Sequence, residues 1–512
     1  MTAPGSKVPR MLLIGLDGAD WRVMKPLMEK GQLPTLARLA AEGVRGDLLS
    51  FEPLASPLVW TSIATGKVPE KHGIKDFFAT QSAIKAKRIW DIVRQQRPEA
   101  KIGLYKYLFT WPPERGLAFV VPGWTARSPE TVPAHLRFIK EIEMAGLPST
   151  NTALMHYLDV GLRGLIHGMR VSTLTRCALV ALYQRLLKPS NVELHYRKQL
   201  LEALIAGDIY SRLMRKQRLD FSASIYAGLD GISHHYWKYY EPHLFRDVSP
   251  REKRRYGDVV ARCYRAADRM VGRLMQSVGR ETNVIVASDH GFRASKDCWM
   301  KRQLNVGLLL QRLGIDDRVY VSIILDKVHL RLRAGSRAER SELVEMLRGI
   351  EYRDSRESFL EVDLGSDDAS IGIRPRQIVD QGDNPSIRML GGEVRLQELL
   401  IEKAEISGTH DPTGILIMRG PAVNRGADIG VVSVLDLTPT MLVLMNLAVG
   451  RDMDGRVLSE TIEPEFLRRH PIRYVDSYEE SAHPGPEPAE IEERLVAESI
   501  VGERLRGLGY IE

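Results

Sequence analysis

Val284–Phe292 reads VIVASDHGF: a run of apolar and small residues that stops abruptly at a serine, an acid, an imidazole and a glycine. A buried parallel strand has this look where it ends at the carboxyl edge of an α/β sheet, the edge on which such folds place their chemistry. Asp289 and His290 offer one oxygen and one nitrogen donor at that edge. An isolated Asp-His pair is equally a turn with a satisfied histidine. The balance shifts because other strand ends in the chain carry acids or histidines, and one further segment offers a hydroxyl.

Met11–Leu16 (MLLIGL) reads as the first strand and runs into Asp17-Gly18. An acid there can ligate a metal, cap the next helix, or both, and capping is the commoner role for a single acid. Helical text follows from Trp21 to Glu42. In Leu54–Gly66 (LASPLVWTSIATG), Pro57 suits the first turn of a helix, so Ser56 is the expected N-cap. A Ser-Pro helix start is commonly only structural. A hydroxyl placed there would also sit among unpaired N–H groups at the positive end of the helix dipole, which suits a phosphate and a serine alkoxide. Thr61, Ser62 and Thr65 are poorer candidates, and His72 is expected to be structural. Ala118–Pro122 reads as a further strand.

Ser224–Gly228 reads as another core strand, followed by Asp230 and His234. If a helix starts at Asp230, these two side chains point the same way, one turn apart, and could grip one cation. His235 would face elsewhere. Ser407–Asp411 carries His410 ahead of a strand, Gly414–Met418.

The 512 residues exceed one ordinary domain but fit one large α/β domain with insertions. They divide into core segments 8–125, 221–315 and 399–462, a helical cap insertion at 126–220, a small α+β lid insertion at 316–398, and a tail at 463–512 with a charged helix from Ala489 to Leu508. Hydrophobic content of 44% and charged content of 27% are ordinary for a globular protein. A net charge of +7 suits an anionic substrate or a membrane face without pointing to nucleic acid, and no nucleic-acid partner is expected. Three scattered cysteines argue against a disulfide framework or a cysteine zinc site. The N-terminus runs straight into strand-like text, and Leu162–Leu187 is broken by Arg163, Arg170, Arg176 and Arg185, so neither a signal peptide nor a spanning helix is expected. Cytoplasmic residence is the default expectation. Peripheral membrane contact through the basic insertion has little weight in the sequence, which does not reveal the oligomeric state.

Asp17, Ser56, Asp230, His234, Asp289, His290 and His410 together suit two adjacent zinc-class sites of nitrogen and oxygen donors. Two such ions can clamp the attacking and leaving oxygens of an in-line phosphoryl transfer. The stretches LIGLDGAD, SPLVWTSIATGKVPEKHGI, GLDGISHHYW, VIVASDHGF, GTHDPTGILI, DLTPT and DMDGRVL, taken in order, resemble the alkaline phosphatase superfamily. Within it they are most similar to the type I phosphodiesterase/nucleotide pyrophosphatase group, in the branch of predicted phosphohydrolases and phosphomutases. The resemblance implies an alkaline-phosphatase-like α/β fold, with a mostly parallel central sheet flanked by helices. It also implies two divalent ions, zinc expected and manganese the alternative. Asp17, Asp289 and His290 would hold one ion with the Ser56 oxygen beside it, and Asp230, His234 and His410 the other. Ser56 falls on the nucleophile position, where threonine is commoner in this branch.

The implied activity is a phosphoric ester hydrolase, phosphodiesterase or phosphatase, working through phosphoserine on a small phosphorylated substrate. The alternatives are a metal-dependent phosphomutase using the same residues and a metal-binding protein without turnover. Ile74–Phe78 lacks the asparagine that nucleotide pyrophosphatases carry about twenty residues past the nucleophile, so a nucleotide is not the expected substrate. Ser56-Pro57-Leu58-Val59-Trp60 does not fit the sulfatase pattern. A monoester would need extra cations, for which Lys75, Lys106 and Lys301 are candidates, each more ordinarily a surface lysine.

Overall fold

The structure, a computed structural model, describes residues 10–479 except 76, 145–153, 188, 296–301, 325–326, 333–336, 365–369, 377–383, 391 and 403–405. Its centre is an eight-stranded sheet. In chain order the strands are β1 (Arg10–Leu16), β2 (Val44–Leu49), β3 (Ile102–Tyr105), β4 (Phe119–Val121), β5 (Phe221–Tyr226), β6 (Thr282–Ala287), β7 (Thr413–Arg419) and β8 (Ala427–Ser433). In space they run β8-β2-β7-β6-β1-β5-β3-β4. Every pairing is parallel except those of β7, which runs antiparallel to both β6 and β2. This is the mostly parallel α/β sheet that the resemblance implied.

The three middle strands carry almost nothing but apolar and small residues, and β5 and β6 are buried along their whole length. Burial on both faces explains why they read as continuous apolar runs rather than as alternation. Three strands escape the sequence reading. Val44–Leu49 (VRGDLL) alternates between buried and more exposed positions, Ile102–Tyr105 is only four residues long, and Ala427–Ser433 has a single buried residue and an irregular register. None of them offers a long apolar signal.

Some expected elements divide. The helical text after Asp17 forms two helices, Trp21–Glu29 and Pro34–Glu42, and the long amphipathic helix expected before β6 breaks into Pro250–Tyr256 and Val259–Met275. The described part of 126–220 is mostly helical, with a 27-residue helix, Asn191–Gln217, as its longest member. From residue 463 to Glu479 the chain stays packed: Tyr474–Val475 pairs with Val449–Gly450, and Glu479 accepts from Lys67 Nζ at 2.8 Å. The charged helix expected from Ala489 to Leu508 lies outside the described residues.

By internal contacts the chain forms two compact units, one built up to Arg293 and resuming at Gly408, the other from Ala294–Ser407. The second unit has its own apolar core, a four-stranded sheet including Val319–Ile324 and Lys327–Leu332, and the helix Arg337–Arg348. The central sheet and all seven candidate side chains belong to the first unit.

Candidate active site

Strand direction assembles the site. β6, β1 and β5 lie side by side and point the same way, so the residues after each strand emerge at one edge. Asp17 comes directly after β1, Asp289 and His290 come after β6, and Asp230 and His234 lie on the helix Gly228–Tyr240 after β5. His410 precedes β7, whose reversed direction brings its beginning to the same edge. Ser56 starts the helix Ser56–Thr65 that succeeds β2.

The helix carrying Ser56 is buried at every residue and ends at Gly66, whose φ of 69° is left-handed. Its orientation is fixed by Trp60, whose ring lies against Gly15 of β1. A Cβ there would stand 2.5 Å from Trp60 Cη2, so the close approach requires glycine. One turn before Trp60, Ser56 Oγ lies 3.3 Å from Asp17 Oδ1 and 3.4 Å from His290 Nε2. The N-cap is Ala55, in extended conformation, and not Ser56 as expected. Ser56 is already helical and turns its hydroxyl to Asp17 rather than to its own helix. The helix start also offers fewer N–H groups than expected: Pro57 has none, Leu58 N–H donates to Ala55 O and Ala55 N–H to Pro53 O.

Asp230 is the hub. Its Oδ1 lies 3.2 Å from His410 Nε2, 3.4 Å from His234 Nε2 and 3.9 Å from His290 Nε2. All three imidazoles have Nδ1 against a backbone carbonyl: His410 on Leu54 O at 2.6 Å, His234 on Gly408 O at 3.0 Å, His290 on Gly291 O at 3.1 Å. A carbonyl only accepts, so each Nδ1 carries the proton, and each Nε2 turns a lone pair inward. His410 Nε2 and His234 Nε2 then face each other at 3.1 Å, an arrangement that needs a shared cation or proton between them.

The carboxylates pose the same problem. Asp17, Asp230 and Asp289 are all essentially buried. Burial, then the charges of Asp289 and Asp230, pushes Asp17 well above the ordinary carboxylate range. Burial and Asp230 push Asp289 up to about 7. Burial also raises Asp230, but positive charge on His234 and His410, standing where a cation would, outweighs it and holds that carboxyl low. Burial and the nearby His410 hold His290 well below its usual value. Both Asp230 oxygens and Asp289 Oδ2 lack a hydrogen-bond partner. Buried oxygens without donors, opposite imidazole lone pairs, fit divalent cations of the zinc class. Among the described residues, donor atoms close enough to share one ion occur in two groups, Asp17–Asp289–His290 and Asp230–His290–His410, and His234 Nε2 lies beside the second. All seven expected side chains are thus brought together at one place.

The sequence profile of the type I phosphodiesterase / nucleotide pyrophosphatase family matches residues 11–364. The chain belongs to that family. As a type I phosphodiesterase / nucleotide pyrophosphatase family member it is a hydrolase of that type. Similar solved structures include human ectonucleotide pyrophosphatase / phosphodiesterase 5, at 13% identity and a TM-score of 0.47, over 89% of this chain and 100% of that one. The murine form of the same protein, an inactive variant in complex with AMP, matches at 14% identity and the same TM-score and coverage. No curated protein matches the sequence.

Several residues that support the site escape the sequence reading. Trp60 Nε1 donates to Asp17 Oδ2 at 3.2 Å, and the signal was present, since Trp60 stands four residues after Ser56 on one helix face. Asp20, not Asp17, caps the helix Trp21–Glu29. One of its oxygens accepts from Arg22 N–H at 2.6 Å, the other from Phe292 N–H at 2.8 Å. That leaves Asp17 free of capping. Gly18 makes the turn between them at φ 70°, and its N–H donates to Asp289 Oδ1 at 3.2 Å. Arg22 bridges Asp20 and Asp411, the residue after His410.

The other candidates are held elsewhere. His72 is buried on Ser62 Oγ at 3.0 Å, and Thr61 and Thr65 return their hydroxyls to the helix carbonyls four residues back. His235 lies against the ring of His195. Lys106 is buried between Glu143 and Glu202, at 3.2 and 2.9 Å, and Lys75 is exposed. Lys301 lies outside the described residues.

Proposed function

We propose that the chain hydrolyses phosphoric esters with Ser56 as nucleophile. The observation that carries the reading is the position of Ser56 Oγ, 3.3 Å from Asp17 Oδ1 and 3.4 Å from His290 Nε2, inside a cluster of buried nitrogen and oxygen donors. Asp17, Asp289 and His290 would hold one divalent ion next to Ser56, and Asp230, His234 and His410 a second. When bound, such ions supply Lewis-acid neutralisation of charge on the phosphoryl group and lower the pKa of a hydroxyl or water. Zinc suits the mixed imidazole and carboxylate set, with manganese as the alternative.

Ser56 is oriented for attack by its own helix, with its hydrogen toward Asp17 Oδ1. The oxygen gives up its proton and forms a bond to phosphorus while one ester oxygen leaves in line and takes up a proton; the alcohol is released, and the phosphoryl group, still carrying its second ester when the substrate is a diester, stays on Ser56. Water then takes the phosphoryl group from Ser56 Oγ. Trp60 Nε1 keeps Asp17 turned to Ser56, and the three backbone carbonyls keep each Nε2 directed inward.

A diester is the favoured substrate. A monoester carries more charge, and of its three candidate lysine partners Lys106 is already committed to two glutamates. No nucleotide is assigned, because Ile74–Phe78 has no asparagine.

The test is hydrolysis of paired aryl mono- and diesters with zinc, manganese or no added metal, by the wild type and Ser56→Ala. Diester turnover that needs metal and vanishes in Ser56→Ala supports the reading. Undiminished turnover by Ser56→Ala ends it.

A further inference from the structure

The helix Val171–Leu187 packs by one side against Asn191–Gln217. Two hydrogen bonds fix its rotation: Thr173 Oγ1 donates to Asp208 Oδ2 at 2.6 Å, and Tyr183 Oη to Glu193 Oε1 at 2.7 Å. The opposite side is open and, apart from Thr175, apolar. Val171, Leu179, Leu182 and Leu186 are 70%, 59%, 51% and 68% exposed. They succeed one another at helical spacings of eight, three and four, so they form one stripe rather than scattered exposed residues. On the preceding helix, Leu162 and Ile166, one turn apart, are 59% and 61% exposed. A soluble surface seldom leaves a contiguous apolar patch of this kind without a partner.

Charge says which partner. The helix VSTLTRCALVALYQRLL contains no acid. Arg176 and Arg185, both exposed, lie on opposite flanks of the stripe. Arg176 is also near enough to Arg269 of the helix Val259–Met275 for the two like charges to repel. Arginine stems can lie along an apolar strip while their guanidinium groups reach headgroup phosphates. A protein partner is less well matched, because binding hot spots favour Trp, Tyr and Arg over the Leu and Val that make up this stripe.

We propose that Val171–Leu187 is a membrane-surface docking helix. It lies in the headgroup region of an anionic bilayer, with the leucine stripe inserted and Arg176 and Arg185 on lipid phosphates. Contact of this kind is peripheral; among the described residues no helix is long and apolar enough to cross a membrane.

The test is co-flotation of the full-length protein with phosphatidylglycerol–phosphatidylcholine vesicles, and with phosphatidylcholine alone, at low and high salt. The expected result is binding to the anionic vesicles that weakens with salt. L179E/L182E should bind at least about tenfold less, the loss expected when inserted leucines are replaced by charge. R176E/R185E should lose the preference for anionic lipid. Both variants should keep the wild-type thermal midpoint, since the altered side chains are exposed. Absence of wild-type binding, or equal binding by L179E/L182E, overturns the proposal. So does concentration-dependent self-association that L179E/L182E abolishes, which would give the stripe to a second copy of the chain.

Discussion

His290 and His410 stack ring on ring, with centroids 3.6 Å apart and planes 19° apart, although they lie far apart in the chain. One comes after a parallel strand and the other precedes the antiparallel strand beside it, so the single reversed strand closes the cluster. The stack brings two imidazoles under one buried carboxylate, Asp230.

Removing His410 should therefore damage more than one donor. His410→Ala is expected to lower metal content and ester turnover together, because it removes one Nε2 and the ring against which His290 packs. Elemental analysis of the purified variant beside wild type checks this, and unchanged stoichiometry would count against His410 as a ligand.

Ser56→Ala should behave differently. It removes only the oxygen that attacks, so turnover should fall by about a thousandfold or more while metal content holds. Ser56→Thr should keep measurable activity. Kinetics with an aryl diester, read alongside metal analysis, separates loss of the nucleophile from loss of the site.

Trp60 is a positioning residue. Trp60→Phe keeps an aromatic ring on the helix but deletes the hydrogen bond to Asp17 Oδ2, together with the outer indole atoms that lie on Gly15. A buried hydrogen bond to a charged group contributes about 1.5–3 kcal/mol, so a roughly tenfold or larger fall in kcat is expected with KM little changed. A change confined to thermal stability would leave Trp60 a packing residue only.

Divalent ions should stabilise the fold. Asp17, Asp230 and Asp289 are buried together, and burial with mutual repulsion pushes Asp17 and Asp289 upward. A cation binding only the folded state adds about 2.7 kcal/mol at a hundred times its Kd. Chelator should lower the midpoint of thermal unfolding and zinc restore it; calorimetry with and without chelator decides.

Acid should destabilise the protein partly through His72. Burial holds His72 down at about 4, against an ordinary 6.5. Between those values the unfolded chain binds a proton that the folded chain does not, so stability rises with pH across this window and is lost as pH falls through it. His72→Gln should flatten that slope by up to one proton's worth, about 1.4 kcal/mol per pH unit. Denaturant melts at a series of pH values measure it. Burial, reinforced by His235, holds His195 at about 3, and it acts in the same sense.

The core strands were legible where burial on both faces leaves a continuous apolar run, as in β1, β5 and β6. They were illegible where a strand is short or half exposed, as in β2, β3 and β8. Asp230 and His234 could be paired because four residues make one helical turn. Trp60 has the same spacing from Ser56, but an indole reads as core until its N–H is found on a carboxylate. The division of labour between Asp17 and Asp20 was beyond the sequence, since either acid could cap the next helix.

The sequence by itself determined the α/β class, the family and the seven candidate side chains, because strand ends, residue chemistry and motif order are local properties. Only the tertiary structure decided that β7 runs against its neighbours and carries His410 to the common edge, that every histidine of the cluster turns Nε2 inward, and that Lys106 is already occupied. Those facts depend on pairings between residues distant in the chain, and chain order does not fix which of them meet.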